Sequence, residues 1–190
     1  AKRAVWAEAL RRRLDLREIE QEFTAQIMHL ETKGINPDHI DGNNHVHVFP
    51  GIAEVVVRTA RRFSITRIRL PRESVMPGGS FTARCSLKRC LLQLLSLRAR
   101  RLFERAGLVF TDFFAGINHP RVSDSASLRV FLKHLPEGTT ELMCHPGYPT
   151  PENPFSNEER ERELASLVDS NVLKDISRYG IELVSYGDLR

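Results

Sequence analysis

Segments that favour β-strands alternate with segments that favour helices along this 190-residue chain, and no long linker interrupts them. Strands are predicted at residues 65–70, 107–114, 139–144 and 181–185, and helices at residues 16–33, 52–63, 86–105, 125–135, 158–166 and 170–179. Such alternation is typical of an α/β domain with a parallel sheet, either open or closed as a barrel. We therefore expect one domain over residues 1–190, with functional residues in the loops after the strands.

Charge and apolar patterning argue against two classes of partner. The net charge is +4, and Arg98, Arg100 and Arg101 form a basic cluster, but acidic residues are interspersed elsewhere and no aromatic residues are interleaved for base stacking. A nucleic-acid-associated module is therefore the weaker alternative, and we expect no nucleic-acid partner. No apolar run approaches the roughly 18 residues that span a bilayer, so we expect no membrane partner.

Cysteine usage bears on the compartment. The three cysteines, Cys85, Cys90 and Cys144, show neither CxxC spacing nor an even number. A disulfide framework is therefore not expected, and a reducing, cytoplasmic environment is the simpler inference. Whether the chain forms a homo-oligomer is left open.

A histidine-rich stretch follows the first predicted helix and turn. Asp41, Asn43, His45 and His47 fall at every second position, so in an extended segment all four would project from one side. Residues two apart on a strand are separated by about 7 Å, so His45 and His47 could share one ion. All four could hold it only if the backbone bends at Gly42 or Asn44. Imidazole suits Zn²⁺, whereas carboxylate and carbonyl oxygens favour Mg²⁺.

A second candidate site lies at the end of the strand predicted over residues 139–144. His145 follows this strand, and Pro146-Gly147 then turns the chain away. A histidine in that position suits a general acid or base, or else it only caps the strand through a backbone hydrogen bond. Cys144 points to the other side and is predicted to lie in the core.

Two further groups of polar residues follow predicted strands. Arg69 can hold a carboxylate, a substrate oxygen or an acetate product, or it can form a salt bridge with Glu73 or Asp41. Asp112 follows an apolar strand, where an aspartate is often no more than a helix cap.

Three segments together resemble the YdjC-like family of carbohydrate deacetylases. They are His39-Ile40-Asp41-Gly42-Asn43-Asn44-His45-Val46-His47-Val48-Phe49-Pro50, then Arg69-Leu70-Pro71-Arg72-Glu73, and Thr140-Glu141-Leu142-Met143-Cys144-His145-Pro146-Gly147-Tyr148. The tail from Arg160-Glu161-Arg162-Glu163-Leu164 to Ile181-Glu182-Leu183-Val184-Ser185-Tyr186 is also similar. The resemblance covers nearly the whole chain, in order.

The resemblance implies a distorted (β/α) barrel of the polysaccharide deacetylase type and metal-dependent hydrolysis of N-acetyl groups from amino sugars or short N-acetylated oligosaccharides. It implies Mg or Zn as the cofactor and a small carbohydrate as the substrate. It assigns His145 the role of general acid, and it makes Asp41 and Arg69 further catalytic candidates. The implied metal-pocket residues are His45, His47 and Asn43, with the two histidines acting as ligands or as donors to the oxyanion. Glu73, Glu141 and Tyr148 are the implied substrate contacts.

The sequence also departs from the family pattern. The family's "A-D-D-F-G" and "G-x-H" motifs do not occur in these 190 residues, and Asn43 stands where the family has a metal-binding histidine. We therefore expect the chain to lack the first strand–helix units of the family barrel. An amide oxygen is a weaker ligand than imidazole for a borderline metal. A non-catalytic sugar- or metal-binding barrel is accordingly the alternative function.

Overall fold

The computed structural model describes residue 8 and residues 14–73, 87–117, 124–152 and 155–190. The helices are α1 (Leu16–Thr32), α2 (Ile52–Arg62), α3 (Leu87–Ala106), α4 (Ser125–Lys133), α5 (Glu158–Leu167) and α6 (Ser170–Arg178). The strands are β1 (His39–Ile40), β2 (Arg67–Ile68), β3 (Phe113–Ala115) and β4 (Thr140–Leu142). Short 3-10 segments lie at Asn43–Val48 and Tyr186–Asp188. The loop predicted over residues 74–82 lies outside the described residues.

Polar side chains define where the helices begin. The Asp15 carboxylate accepts a hydrogen bond from the amide of Arg17 at 2.8 Å, which confirms the predicted cap of α1. Asp124, Asn157 and Asp169 cap α4, α5 and α6 in the same way. These caps supply acceptors for amides that have no partner inside the first turn of a helix. The six predicted helices therefore occur close to their predicted bounds.

The strands pair in parallel, as the strand–helix alternation predicts. His39 of β1 lies opposite Arg67 of β2, and Phe113 of β3 lies opposite Thr140 of β4. Parallel partners need a crossover connection, and helices supply it here. The α/β class is therefore confirmed, while closure into a (β/α) barrel stays a prediction.

The described residues form two compact units, each with its own apolar core. The first unit comprises the described residues within 1–72, 90–111 and 184–190, and the second comprises those within 73–89 and 112–183. The most deeply buried apolar side chains of the first unit include Val48, Phe49, Val55, Val56, Ile68 and Phe103. The core of the second unit contains Ala115, Leu128, Phe131, Leu132 and Val172. The expectation of a single domain over residues 1–190 stays a prediction.

The strand predicted over residues 181–185 is wrong. In the described part of the chain this segment has no strand pairing, and Leu183 is 75% exposed. The chain instead continues into the 3-10 segment, and the carbonyl of Leu189 accepts a hydrogen bond from the Arg67 side chain at 3.0 Å. Apolar residues indicated a strand, but Leu183 and Val184 are both exposed, so burial does not favour extended pairing.

Candidate functional site

The histidine-rich stretch of the first unit is a tight turn. Strand β1 ends at Ile40, and the chain then forms the 3-10 segment Asn43–Val48. Inside it, Asn44 and His45 adopt left-handed backbone conformations, with φ of 55° and 60°. Such conformations cost non-glycine residues about 1–3 kcal/mol each and cluster at functional sites. Of the two arrangements considered for residues 41–47, the extended one does not occur, and the backbone bends at Asn44.

His47 is buried and uses both ring nitrogens in backbone hydrogen bonds. Its Nδ1 accepts from the amide of Gly42 at 2.9 Å, so the ring proton lies on Nε2, which donates to the carbonyl of Arg69 at 2.9 Å. Residue 42 approaches so closely that an added Cβ would lie 2.8 Å from Nδ1. Burial lowers the pKa of His47 to about 4. His47 is therefore neutral at pH 7 and fixes the 3-10 segment to the end of β2.

Asp41 and Arg69 form the salt bridge that the sequence left open. A guanidinium nitrogen of Arg69 donates to Oδ2 of Asp41, and both side chains are partly exposed. Oδ1 of Asp41 lies 3.6 Å from Nδ1 of His47, but that nitrogen carries no proton, so this contact is not an ion pair. Asp41, His47 and Arg69 are thus brought together within the first unit.

The resemblance noted in the sequence implies a divalent metal, and the described residues do not by themselves provide its site. Among them, no three His, Cys, Asp or Glu side chains are placed to hold one ion. The rings of His45 and His47 are 6.4 Å apart between centroids, and His47 would have to give up a backbone hydrogen bond to ligate. The Asn43 side chain accepts from that of Asn44 at 3.0 Å. The cofactor therefore stays a prediction.

His145 lies in the second unit, three residues beyond the end of β4. Its amide donates to Oε2 of Glu163 at 2.6 Å. Its ring meets that of Phe155 edge to face, with 5.5 Å between centroids and an interplanar angle of 84°. The residue as a whole is partly buried, and its backbone and one side of its ring are held by these contacts. This arrangement suits proton transfer to a bound group.

The remaining predicted residues of the second unit lie in different surroundings. Glu73 accepts from the amide of Gly116 at 3.0 Å, Glu141 lies partly buried on β4, and Tyr148 is 70% exposed. Asp112 accepts from the amide of Thr139 at 2.8 Å, so it ties the loop before β4 and does not cap a helix. Cys144 packs against the core of this unit, as predicted.

Sequence reasoning missed three residues around His145: Phe155, Arg160 and Glu163. Glu163 is only 8% exposed, although it belongs to a run of charged residues that is typical of a solvent-exposed helix face. A signal was present in the spacing, because Arg160, Glu163, Leu164 and Leu167 fall at i, i+3, i+4 and i+7 and form one helical stripe. The two leucines mark this stripe as the packed face of α5.

Comparison with known proteins places the chain in a family. A sequence profile described as YdjC-like protein matches residues 3–178. The chain belongs to the YdjC-like protein family. Curated relatives of this family member include proteins named carbohydrate deacetylase. The mouse protein is 30% identical over 92% of this chain and 63% of its own length, and the human protein is 29% identical over 93% and 61%.

The similarity extends to a bacterial YdjC-like relative and to a solved structure. The carbohydrate deacetylase of Geobacillus stearothermophilus is 28% identical over 89% of this chain and 58% of its own length. The chain thus spans about three fifths of the curated relatives it matches. A crystal structure of a candidate cellobiose-phosphate cleavage protein from Enterococcus faecalis V583 superposes with a TM-score of 0.68, at 21% identity, over 93% of this chain and 62% of that one. That likeness concerns the fold.

Proposed function

We propose that this YdjC-like protein hydrolyses the N-acetyl group of amino sugars or short N-acetylated oligosaccharides. The observation that carries the proposal is the family match over residues 3–178, together with curated relatives that are named carbohydrate deacetylases. The position of His145 supports it, because the signature histidine of the resemblance lies in the loop after β4, only partly buried, with its backbone amide held by Glu163.

The chemistry requires one proton donor at the amine. Water adds to the acetamide carbonyl carbon and its two protons pass to solvent, which later restores the proton of the donor; the C–N bond breaks, and acetate and a free amine result. The departing nitrogen takes up a proton, and the imidazole of His145 in its protonated form is the proposed donor. The Phe155 ring packs edge to face against this imidazole and orients it.

The first-unit residues carry a separate proposal. Arg69, oriented by Asp41, has donors suited to a substrate oxygen or to acetate. His45 belongs to the turn with left-handed backbone, a conformation that often marks a functional segment. Mg or Zn dependence is proposed from the family resemblance alone, and no step above passes through a metal.

Acetate release is the direct test. The protein is incubated with N,N′-diacetylchitobiose, with and without added Mg²⁺ or Zn²⁺, and acetate and free amine are quantified together. We expect equal amounts of the two products and none from cellobiose, which lacks an N-acetyl group. Saturable binding of diacetylchitobiose without acetate under any of these conditions would instead support the non-catalytic sugar-binding alternative, which Asn43 favours.

A further inference from the structure

Helix α5 accepts hydrogen bonds from two backbone amides of the loop that carries His145. The amide of His145 donates to Oε2 of Glu163 at 2.6 Å, and the amide of Gly147 donates to the carbonyl of Arg160 at 3.2 Å. Pro146 lies between them and has no amide hydrogen. Both N–H groups of this tripeptide are therefore bonded to the same helix, so the orientation of the loop follows the orientation of α5.

Glu163 connects the backbone of His145 to a second charged side chain. Its Oε1 accepts from Nη1 of Arg160 at 2.7 Å, while its Oε2 serves the His145 amide. Hydrogen bonds to an ionised acceptor are shorter and stronger than neutral ones. Because both Glu163 and Arg160 are largely shielded from solvent, water competes little for these bonds. One carboxylate thus fixes a backbone position and a guanidinium together.

The guanidinium in turn fixes the packing on the His145 ring. The Cζ atom of Arg160 lies 5.0 Å from the centroid of the Phe155 ring, within the range of a cation–π contact. The same Phe155 ring meets the His145 imidazole edge to face at 5.5 Å. Glu163 therefore contacts His145 by two routes, directly at the amide and indirectly through Arg160 and Phe155.

We infer that Glu163 is a positioning residue for His145, acting on its backbone directly and on its ring through Arg160 and Phe155. The inference rests on the proposed deacetylase function for its kinetic consequence, but its structural content stands apart from that function. A displaced catalytic group can cost roughly 10²-fold in rate even when substrate still binds. Loss of Glu163 should consequently lower kcat and leave KM nearly unchanged.

A buried pair elsewhere in the same unit supplies a matched control. Asp175 is 4% exposed and accepts from Arg129 at 2.6 Å, so it resembles Glu163 in burial and in its arginine partner. Asp175 lies on α6 and Arg129 on α4, so this pair is formed by other helices than the one that carries Glu163. Replacing it should affect stability without moving the imidazole.

The experiment compares Glu163→Leu, Glu163→Gln and Asp175→Leu in the full chain, by steady-state acetate release and by nuclear Overhauser contacts between the His145 and Phe155 rings. For Glu163→Leu we expect a loss of the ring contact and a roughly 10²-fold lower kcat. Glu163→Gln keeps an oxygen acceptor for the His145 amide, so it should retain the ring contact and recover part of kcat. Asp175→Leu should lower the melting temperature but keep both readouts.

Two results would overturn the inference: an intact ring contact in Glu163→Leu, or an equal loss of kcat in Asp175→Leu. A wild-type chain that releases no acetate would refute the proposed function instead. In that case the ring contact alone decides whether Glu163 positions His145. If Glu163→Leu does not fold, Glu163→Ser, whose side chain is too short to reach the His145 amide, replaces it with the same expected and overturning results.

Discussion

The Nε2 atom of His47 lies 2.9 Å from the carbonyl oxygen of Arg69 and donates a hydrogen bond to it. This bond joins the turn after β1 to the residue directly after β2, so it fixes the two neighbouring strand ends where polar residues were predicted to gather. The opposite ring nitrogen accepts from Gly42. His47 is therefore a neutral, fully buried connector, and its protonation would break one of the two bonds.

We predict that the stability of the protein falls as the pH drops from 7.5 to 5, in part because of His47. Burial lowers the pKa of His47 to about 4, whereas the unfolded chain takes up this proton near 6.5. Between these values the unfolded state binds more protons, so the free energy of unfolding decreases as the pH falls. The expected contribution is about 2 kcal/mol by pH 5, measured as the shift of the urea midpoint.

A comparison of histidine variants isolates the contribution of His47 to the pH dependence of stability. His47→Gln should be less stable than the wild type at pH 7.5 but should lose less stability between pH 7.5 and 5. His29→Gln, which replaces an exposed histidine on α1, should show the wild-type slope. Parallel slopes for His47→Gln and the wild type would contradict a depressed pKa at residue 47.

The ends of the helices could be predicted from residues that are neighbours in the sequence. The conformation of the site could not, because it depends on contacts between residues that are distant in the sequence. Asp15 and Gly34 mark the ends of α1 in the sequence, because a carboxylate caps the first turn and a glycine adopts the left-handed conformation after the last, here with φ of 74°. In the turn at residues 43–48, no residue type in the sequence signals the left-handed conformation of His45. Its conformation depends on the bonds of His47 to Gly42 and to Arg69, and Arg69 lies 22 residues away.

The surroundings of His145 illustrate the same distinction. The predicted strand and the Pro-Gly turn place it after β4, although the strand ends at Leu142, three residues before His145. Its partner Glu163 is 18 residues further along the chain, in a helix whose charged composition conceals its packed face. Contacts between residues so far apart in the sequence depend on how α5 packs against the loop after β4, which local propensity does not encode.

We predict that Asp41 and Arg69 stabilise the fold only modestly through their ion pair. Both side chains are partly exposed, so solvent screens the attraction, and a coupling of about 0.5 kcal/mol is expected. A double-mutant cycle with Asp41→Asn and Arg69→Met, followed by urea unfolding, measures that coupling. The exposed pair Glu20 and Arg58 provides a reference cycle. A coupling above about 2 kcal/mol would contradict a screened pair.

We predict that Asn43→His tightens the binding of Zn²⁺. If residue 43 occupies the ligand position that the family resemblance implies, an imidazole there should bind a borderline metal better than an amide does. Isothermal titration calorimetry with Zn²⁺ provides the measurement, and Asn36→His, at another exposed position, is the control. Equal affinities for Asn43→His and Asn36→His would show that residue 43 is not at a ligand position.

His145→Ala should lower the turnover of N,N′-diacetylchitobiose by roughly 10²- to 10⁴-fold, the usual scale for the loss of a general acid. KM should change far less, because the proton is needed by the departing amine in the transition state and not by the bound substrate. The alkaline limb of the pH–rate profile should flatten, since that limb reports the loss of the acid's proton. His134→Ala, at an exposed histidine after α4, should retain wild-type turnover. Near-normal turnover with both limbs intact in His145→Ala would reduce His145 to a strand-end contact, and the amine would then have to take its proton from water or from another residue.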